Sequence, residues 1–348
     1  MVNKLCIVTE NLLEPFDEGF KKTIHYIIKT IQSEKNAVVV GRRISGVIGR
    51  NYEIDRLLLH PGFLKDIASL TADAVLYFPE ASLTMASFFR AKILKFATKK
   101  PVIIFGFQPR KYSRLSLFAI KKLRPSLIFV QSKESMEFFK SHSFEVSVIK
   151  SGIDLTRFNP VDSQVKASLR SHYGIPFDKT VILHVGHLNS KRGLEDILEL
   201  LDKDMQAVVI VSTSTTQDVD MKKKLTARKV LIFDSFIENI EHFYQMSDAY
   251  VFPTTNKLSA IEFPLSILEA MACGLPILTT PFGGLRDYFC EDECFQFYEN
   301  LTEGRAKLSD LLSHNSTRKN FNHKKIGDFT WTSIAQYILD EVERLNNA

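Results

Sequence analysis

Residues 261–287, IEFPLSILEAMACGLPILTTPFGGLRD, hold a lead-in, a helix, a strand and a turn in close succession. The EFP lead-in is extended, and an apolar helix with a single acid follows. Gly274 closes that helix, Pro276 opens a buried strand (PILTT), and Gly283-Gly284 makes the next turn. The helix N-terminus at residues 264–266 has free backbone N–H groups, which make a ready anion site. Glu269 sits among Leu268, Ala270, Met271 and Ala272. A carboxylate buried there without partners costs several kcal/mol, so Glu269 is expected at the solvent edge or facing a ligand. Its place further along the helix suits hydroxyls of whatever carries the anion. That order of parts implies a nucleotide-sugar diphosphate site.

The segment resembles the donor-site signature of retaining glycosyltransferases of the GT-B fold, specifically glycosyltransferase family 4. Phe263-Pro264, Leu268-Glu269-Ala270-Met271-Ala272, Gly274-Leu275-Pro276 and Gly283-Gly284 fall in register with it. The family's two glutamates have seven residues between them, which points to Ile261 for the first, whereas the available acid here is Glu262, with six between. The resemblance implies that Glu269 accepts hydrogen bonds from the nucleotide ribose. It also implies that the backbone of Phe263, Pro264, Leu265 and Ser266 holds the donor sugar and phosphates, and that Glu262 touches the sugar hydroxyls. Pro264 has no N–H, so Leu265 and Ser266 must be the donors.

Outward from this segment, short apolar runs alternate with amphipathic stretches along the whole chain, the pattern of repeated βα units and parallel sheets. Strands are expected at KLCIVT, AVVVGR, AVLYF, VIIFG, LIFVQS and VSVIKS, then at TVILHVG, AVVIVS, VLIFDS, AYVFP, PILTT and CFQFY. The pattern breaks in SGIDLTRFNPVDSQ, where Pro160 stops any helix. The expected fold is α/β: two Rossmann-like, doubly wound parallel-sheet domains facing a cleft. Residues 1–156 would form the acceptor-side domain and 157–328 the nucleotide-sugar domain. The helix 329–348 would cross back to the first, as the resemblance implies. Neither half carries GxGxxG or a P-loop, which argues against a dinucleotide cofactor.

Breaking a sugar–diphosphate bond requires stabilising the charge that develops on the phosphates. No Asp-x-Asp stands at a strand end, because DVD at 218–220 lies in a polar, helix-like stretch; metal-free stabilisation by cations is therefore expected, with no cofactor. The string HVGHLNSKRGLEDI (184–197) resembles the family's Gly-Arg-Leu, a short variable stretch, then Lys-Gly. Gly186, Leu188 and Gly193 match; His187 replaces the Arg, and either Lys191 or Arg192 supplies the later cation. The resemblance implies that Ile237, in the turn after VLIFDS, occupies the place where the family's backbone contacts the base. Gly19, opening the first helix, is placed to approach the donor phosphate. The resemblance implies a front-face mechanism.

Hydrophobic residues make up 45% and charged residues 24% of 348, a globular composition with no apolar run long enough to span a membrane. The four cysteines make no metal-type spacing, and the start reads as a strand and not as a signal peptide, so a reduced, cytoplasmic chain is expected. The net charge of +5 is uneven: residues 1–160 hold 25 Lys+Arg against 14 Asp+Glu, and the rest hold 20 against 26. From Ala81 to Lys133 there are 12 cations and no acid. Arg90, Lys92, Lys95, Lys99, Lys100, Arg110, Lys111 and Arg114 form the expected face toward an anionic membrane, at its inner side, or toward an acceptor. On the first of these helices, Phe89, Ile93 and Phe96 are expected to pack on the sheet. The partners implied are a nucleotide-sugar donor and a glycan or lipid-linked acceptor, with no nucleic acid. A nucleotide-sugar binder without turnover, and an epimerase or hydrolase on the same fold, stay open as alternatives.

Overall fold

The structure, a computed structural model, describes residues 2, 4–52, 59–80, 82–313 and 321–347. The chain forms two compact units. The first comprises residues 1–152, 260–263 and 331–348, and the second 153–259 and 264–330. The expected division ran at 156 and 328; the short excursion at 260–263 was not anticipated.

The first unit runs β1 (Lys4–Thr9), α1 (Gly19–Glu34), β2 (Asn36–Gly41), β3 (Gly49–Asn51), α2 (Pro61–Ser69), β4 (Ala74–Phe78), α3 (Met85–Thr98), β5 (Val102–Phe105), α4 (Arg114–Lys122), β6 (Leu127–Val130), α5 (Lys133–Ser141) and β7 (Val146–Val148). Its sheet is parallel in the order β3-β2-β1-β4-β5-β6-β7. Alternate strand residues, among them Cys6, Val75, Tyr77, Ile104 and Ile128, build a core with Phe63, Phe88, Leu94, Ile120 and Phe139 of α2 to α5. The intervening residues face the other side. There the ring of Phe129 lies 5.9 Å from Tyr337 on the chain's last helix.

The second unit runs α6 (Ser163–Tyr173), β8 (Thr180–Gly186), a 3-10 turn (Ser190–Arg192), α7 (Leu194–Leu200), β9 (Met205–Val211), α8 (Val219–Ala227), β10 (Leu231–Phe233), α9 (Glu241–Met246), β11 (Ala249–Phe252), α10 (Leu265–Ala272), β12 (Ile277–Thr279), α11 (Leu285–Tyr288), β13 (Phe295–Phe297), α12 (Leu301–Ser313) and α13 (Phe321–Lys325). This sheet is also parallel, ordered β10-β9-β8-β11-β12-β13. The last helix, α14 (Trp331–Asn347), belongs to the first unit, where Trp331 stacks on Tyr26 of α1 with ring centroids 5.1 Å apart. The sequence from 301 onward also reads as helical, and that expectation falls partly on 314–320, outside the described residues.

The strand order reverses between β1 and β4 in the first sheet and between β8 and β11 in the second. In open α/β sheets such switch points, at the carboxyl ends of the strands, hold ligands. Both sheets thus have the Rossmann-like plan expected.

Helix α3 is rotated from its expected setting. Phe88, Ala91 and Leu94 are buried, while Phe89 and Phe96 are exposed. Burial at 88, 91 and 94 follows the helical spacing as well as 89, 93 and 96 does, and the small Ala91 allows closer packing on the sheet. Among the described residues no helix is long and apolar enough to cross a membrane.

Candidate functional site

At the second unit's switch point, β8 ends at Gly186 and the chain turns through Ser190–Arg192 into α7. Gly193, at φ +69°, makes the exit, and a Cβ there would lie 2.3 Å from the Pro253 carbonyl oxygen after β11. Only glycine fits that close approach. Thr254 donates to the Arg192 carbonyl at 3.2 Å, and Ser259 donates to that of Lys191 at 3.2 Å. The turn is thereby tied to the loop after β11.

This tie sets the two candidate cations differently. Lys191 is exposed, whereas Arg192 is buried against β8 and β11. A Cβ on Gly186 would meet the Arg192 Nη2 at 2.4 Å, so glycine there makes room for the guanidinium. The Arg192 Cζ lies 5.6 Å from the centre of the Phe252 ring. Its Nε and Nη1 are buried without a hydrogen-bond partner. Burial lowers its pKa to about 10, partly offset by Tyr250, and it remains cationic at neutral pH. A buried cation without a facing acid is unfavourable by several kcal/mol, and an incoming anion would relieve that cost. His187, half-buried, follows Gly186 directly.

Tyr250, on β11, connects this cation to α10. Its hydroxyl donates to the Val185 carbonyl at 3.4 Å, and its side chain is also hydrogen-bonded to Ser266. Burial raises the phenol pKa, and the Arg192 charge acts on it in the opposite sense. Pro264 is the N-cap of α10 in an extended conformation, which leaves Leu265 and Ser266 as the first helical N–H groups. One turn further, Glu269 is 3% exposed. It is therefore not at the solvent edge, and Tyr244 of α9 donates to its Oε2 at 2.7 Å. Burial and the adjacent carboxylate push the Tyr244 pKa well up, which keeps the phenol protonated as a donor. Tyr244 and Tyr250 were both missed by the sequence reading. Their signal was a tyrosine in an otherwise apolar run, since a buried phenol needs a partner.

Ile237 is half-buried in the loop after β10, next to exposed Phe236. Asp218 of the DVD triplet caps α8, accepting from the N–H groups of Asp220 and Met221 at 3.1 and 3.0 Å. No cluster of three or more metal-type side chains occurs among the described residues.

The remaining candidates lie in the first unit. Glu262 is 4% exposed, and its Oε1 accepts from Ser132 at 2.8 Å and Ser135 at 2.7 Å, at the N-terminus of α5. Its backbone N–H donates to Phe107, and the Phe263 carbonyl accepts from Ser151 at 2.9 Å. Burial raises the Glu262 pKa while the two serines oppose that rise; Oε2 is buried without a hydrogen-bond partner. Gly19 opens α1 against Ile261, whose side chain is 3.5 Å from a Cβ placed there.

At the first switch point, Glu10 after β1 accepts from Tyr77 of β4 and Arg90 of α3. Arg90 is therefore corrected: it turns inward to an ion pair and is not part of an outer basic face. Lys92, Lys95, Lys99, Lys100, Arg110, Lys111 and Arg114 lie in the same basic stretch, all of them exposed. Arg110 donates to Ser82 at 3.4 Å. His25, stacked on Phe16, and His60, which caps α2, have structural roles.

Residues 165–326, a little under half of the chain, match the family profile described as "Glycosyl transferases group 1". A D-inositol 3-phosphate glycosyltransferase of Xylanimonas cellulosilytica is 26% identical over 42% of this chain and 37% of its own length. The Arabidopsis thaliana sulfoquinovosyl transferase is 26% identical over 48% of this chain and 33% of its own. The chain thus spans well under half the length of these curated relatives. Anabaena HepE, solved with UDP, superposes with a TM-score of 0.77 at 15% identity, covering 98% of this chain and 100% of that one. Sucrose-phosphate synthase of Thermosynechococcus elongatus gives 0.77 at 13%, with 99% of each covered. The chain has the GT-B fold, and its second unit carries the pattern of the group 1 glycosyl transferases.

Proposed function

We propose that the protein is a retaining, metal-independent glycosyltransferase of family 4, moving a sugar from a nucleoside-diphosphate sugar to a hydroxyl of a glycan or glycolipid. The observation that carries this reading is Arg192: a buried guanidinium with unpartnered N–H groups at a switch point, linked through Tyr250 to the start of α10. In this reading Arg192 and the more mobile charge of exposed Lys191 neutralise the leaving diphosphate. Gly186 and His187 line the approach, and the N–H groups of Leu265 and Ser266 hold phosphate or sugar oxygens. Glu269, fixed by Tyr244, takes the ribose hydroxyls, and Ile237 borders the base. The backbone at Pro264, opening α10, borders the donor sugar.

The step breaks the bond between the sugar C1 and the phosphate oxygen and forms a bond from C1 to the acceptor oxygen on the same face. The acceptor proton passes to the leaving phosphate oxygen. Arg192 and Lys191 supply the charge that a metal supplies elsewhere, so turnover is expected to survive EDTA.

Neighbours of this fold are solved with UDP and with UDP-glucose, which makes UDP the first nucleotide to try. A nucleotide at about 100 times its Kd adds about 2.7 kcal/mol of stability, so a thermal-shift series with UDP, GDP and ADP selects the base. Diphosphate release from the chosen donor, with and without an acceptor panel, then tests turnover. Release dependent on acceptor with retained anomeric configuration supports the reading; binding without any release overturns it in favour of an inert binder.

A further inference from the structure

We infer that the paired outer faces of α3 and α4 form a docking surface for an anionic lipid bilayer, with apolar tips that enter the interface and lysines that engage the headgroups. This goes beyond the transferase reading and does not depend on it.

The rotation of α3 described above is the starting observation. It leaves Phe96 85% exposed, and on the neighbouring α4 Leu115 is 82% and Phe118 66% exposed. Helices α3 and α4 pack side by side on one face of the first sheet, with Leu94 and Ile120 in a common core. Their opposite sides therefore point away from the sheet together. Large apolar side chains are exposed elsewhere too, Ile48 and Phe177 among them, but here three stand on adjacent helices, the grouping that marks an interaction surface.

The charge around these tips specifies the occupant. Lys92, Lys95, Lys99 and Lys100 are exposed beside Phe96, and Lys121 and Lys122 close α4, with the Lys122 Nζ 5.6 Å from the Phe118 ring. None of these cations forms an ion pair with a described residue, and the chain from 81 to 133 supplies no acid. Some exposed lysines elsewhere are paired, as Lys224 is with Glu195 at 2.5 Å, and others such as Lys65, Lys140 and Lys229 are single; here six lie on or at the ends of two adjacent helices. Apolar tips ringed by unpaired lysines match the chemistry of a bilayer boundary, where acyl chains take the rings and phosphate headgroups the ammonium groups. A soluble polyanion would use the lysines and leave the tips in water.

The test is flotation of the full chain, without donor or acceptor, with vesicles of pure phosphatidylcholine or of phosphatidylcholine with phosphatidylglycerol. Binding is expected only to the anionic vesicles, weakened by salt. Each cation near such a surface is worth about fivefold in partitioning, so reversing Lys92, Lys95, Lys99 and Lys100 to Glu should reduce binding by more than about a hundredfold. Replacing Phe96, Leu115 and Phe118 together by Ser should reduce it at least about tenfold and remove the salt-resistant part. All these side chains project outward, and unchanged thermal melting of each variant confirms that the fold is kept. No binding of the parent to anionic vesicles at low salt, equal binding to neutral ones, or full binding by the serine variant would each overturn the inference. Diphosphate release is measured without vesicles, so these outcomes leave the proposed reaction untouched.

Discussion

The two switch points share a topology and differ in how their charge is balanced. Between β1 and β4, Arg90 enters from α3 to meet Glu10, and Tyr77 completes the set, so the cluster holds its own counter-charge. Between β8 and β11, Arg192 is more deeply enclosed and meets the Phe252 ring and Tyr250, with no acid paired to it among the described residues. The first arrangement is complete as it stands and reads as architecture. The second bears a standing electrostatic cost that folding alone does not explain. The difference separates a cation that holds a domain together from one proposed to meet an anion.

Replacing each arginine by an isosteric apolar residue should give opposite results, and the larger effect belongs to Arg192. Arg192→Met should slow donor turnover by about 10²–10³, the effect of removing one preorganised stabiliser of a developing negative charge. Folding stability should stay level or rise, because the variant no longer buries an uncompensated charge. Gly186→Ala should mimic part of this loss by displacing the guanidinium. Unchanged turnover in Arg192→Met, or a marked loss of stability, would make Arg192 another structural cation and dissolve the comparison. Arg90→Met should instead destabilise the chain by about 1–3 kcal/mol, since it leaves half-buried Glu10 beside Tyr77 without its cation. Urea denaturation reads this directly, and a change below about 0.5 kcal/mol would show that the pair contributes little.

Periodicity made the sheets legible. Twelve of the strands stood out as short apolar runs; the three-residue edge strand β3, GRN, has no apolar residue to announce it. Helices α2 and α6 were not foreseen either: α2 starts on a histidine cap, and α6 buries only Arg170. Motif spacing located the turn that holds Arg192, but spacing alone could not say whether Lys191 or Arg192 faces inward. That choice depends on Gly186 and on the hydroxyl of Thr254, which come together only in the folded sheet. Glu269 likewise read as a lone acid because its partner Tyr244 lies 25 residues away in sequence. Glu262 is held by hydroxyls from more than 120 positions earlier, Ser132 and Ser135. Contacts of that range leave no local periodicity to detect.

The smallest effect concerns His184, which lies beneath the second switch point and sharpens the comparison. Its Nδ1 faces the Val251 carbonyl at 2.9 Å. Burial, with the Arg192 charge acting in the same direction, lowers its pKa to about 3. The folded protein therefore keeps His184 neutral while the unfolded chain takes up a proton below about pH 6.5. With more protons bound in the unfolded state, stability falls as pH drops through the window from 6.5 to 3. Glu10 and Glu262 act the other way, because their raised pKa values let the folded state hold protons that the unfolded chain has released. Variant comparison isolates the histidine from them. Between pH 6 and 5, His184→Asn should flatten the loss of stability by up to about 1.4 kcal/mol per pH unit, with no difference from this source above pH 8. In Arg192→Met the His184 pKa should move back toward its ordinary value, so the acid-sensitive window should narrow from its lower end. Parallel pH profiles for the parent and His184→Asn would show that the imidazole takes no part in acid stability. An unchanged window in Arg192→Met would show that its charge does not reach His184.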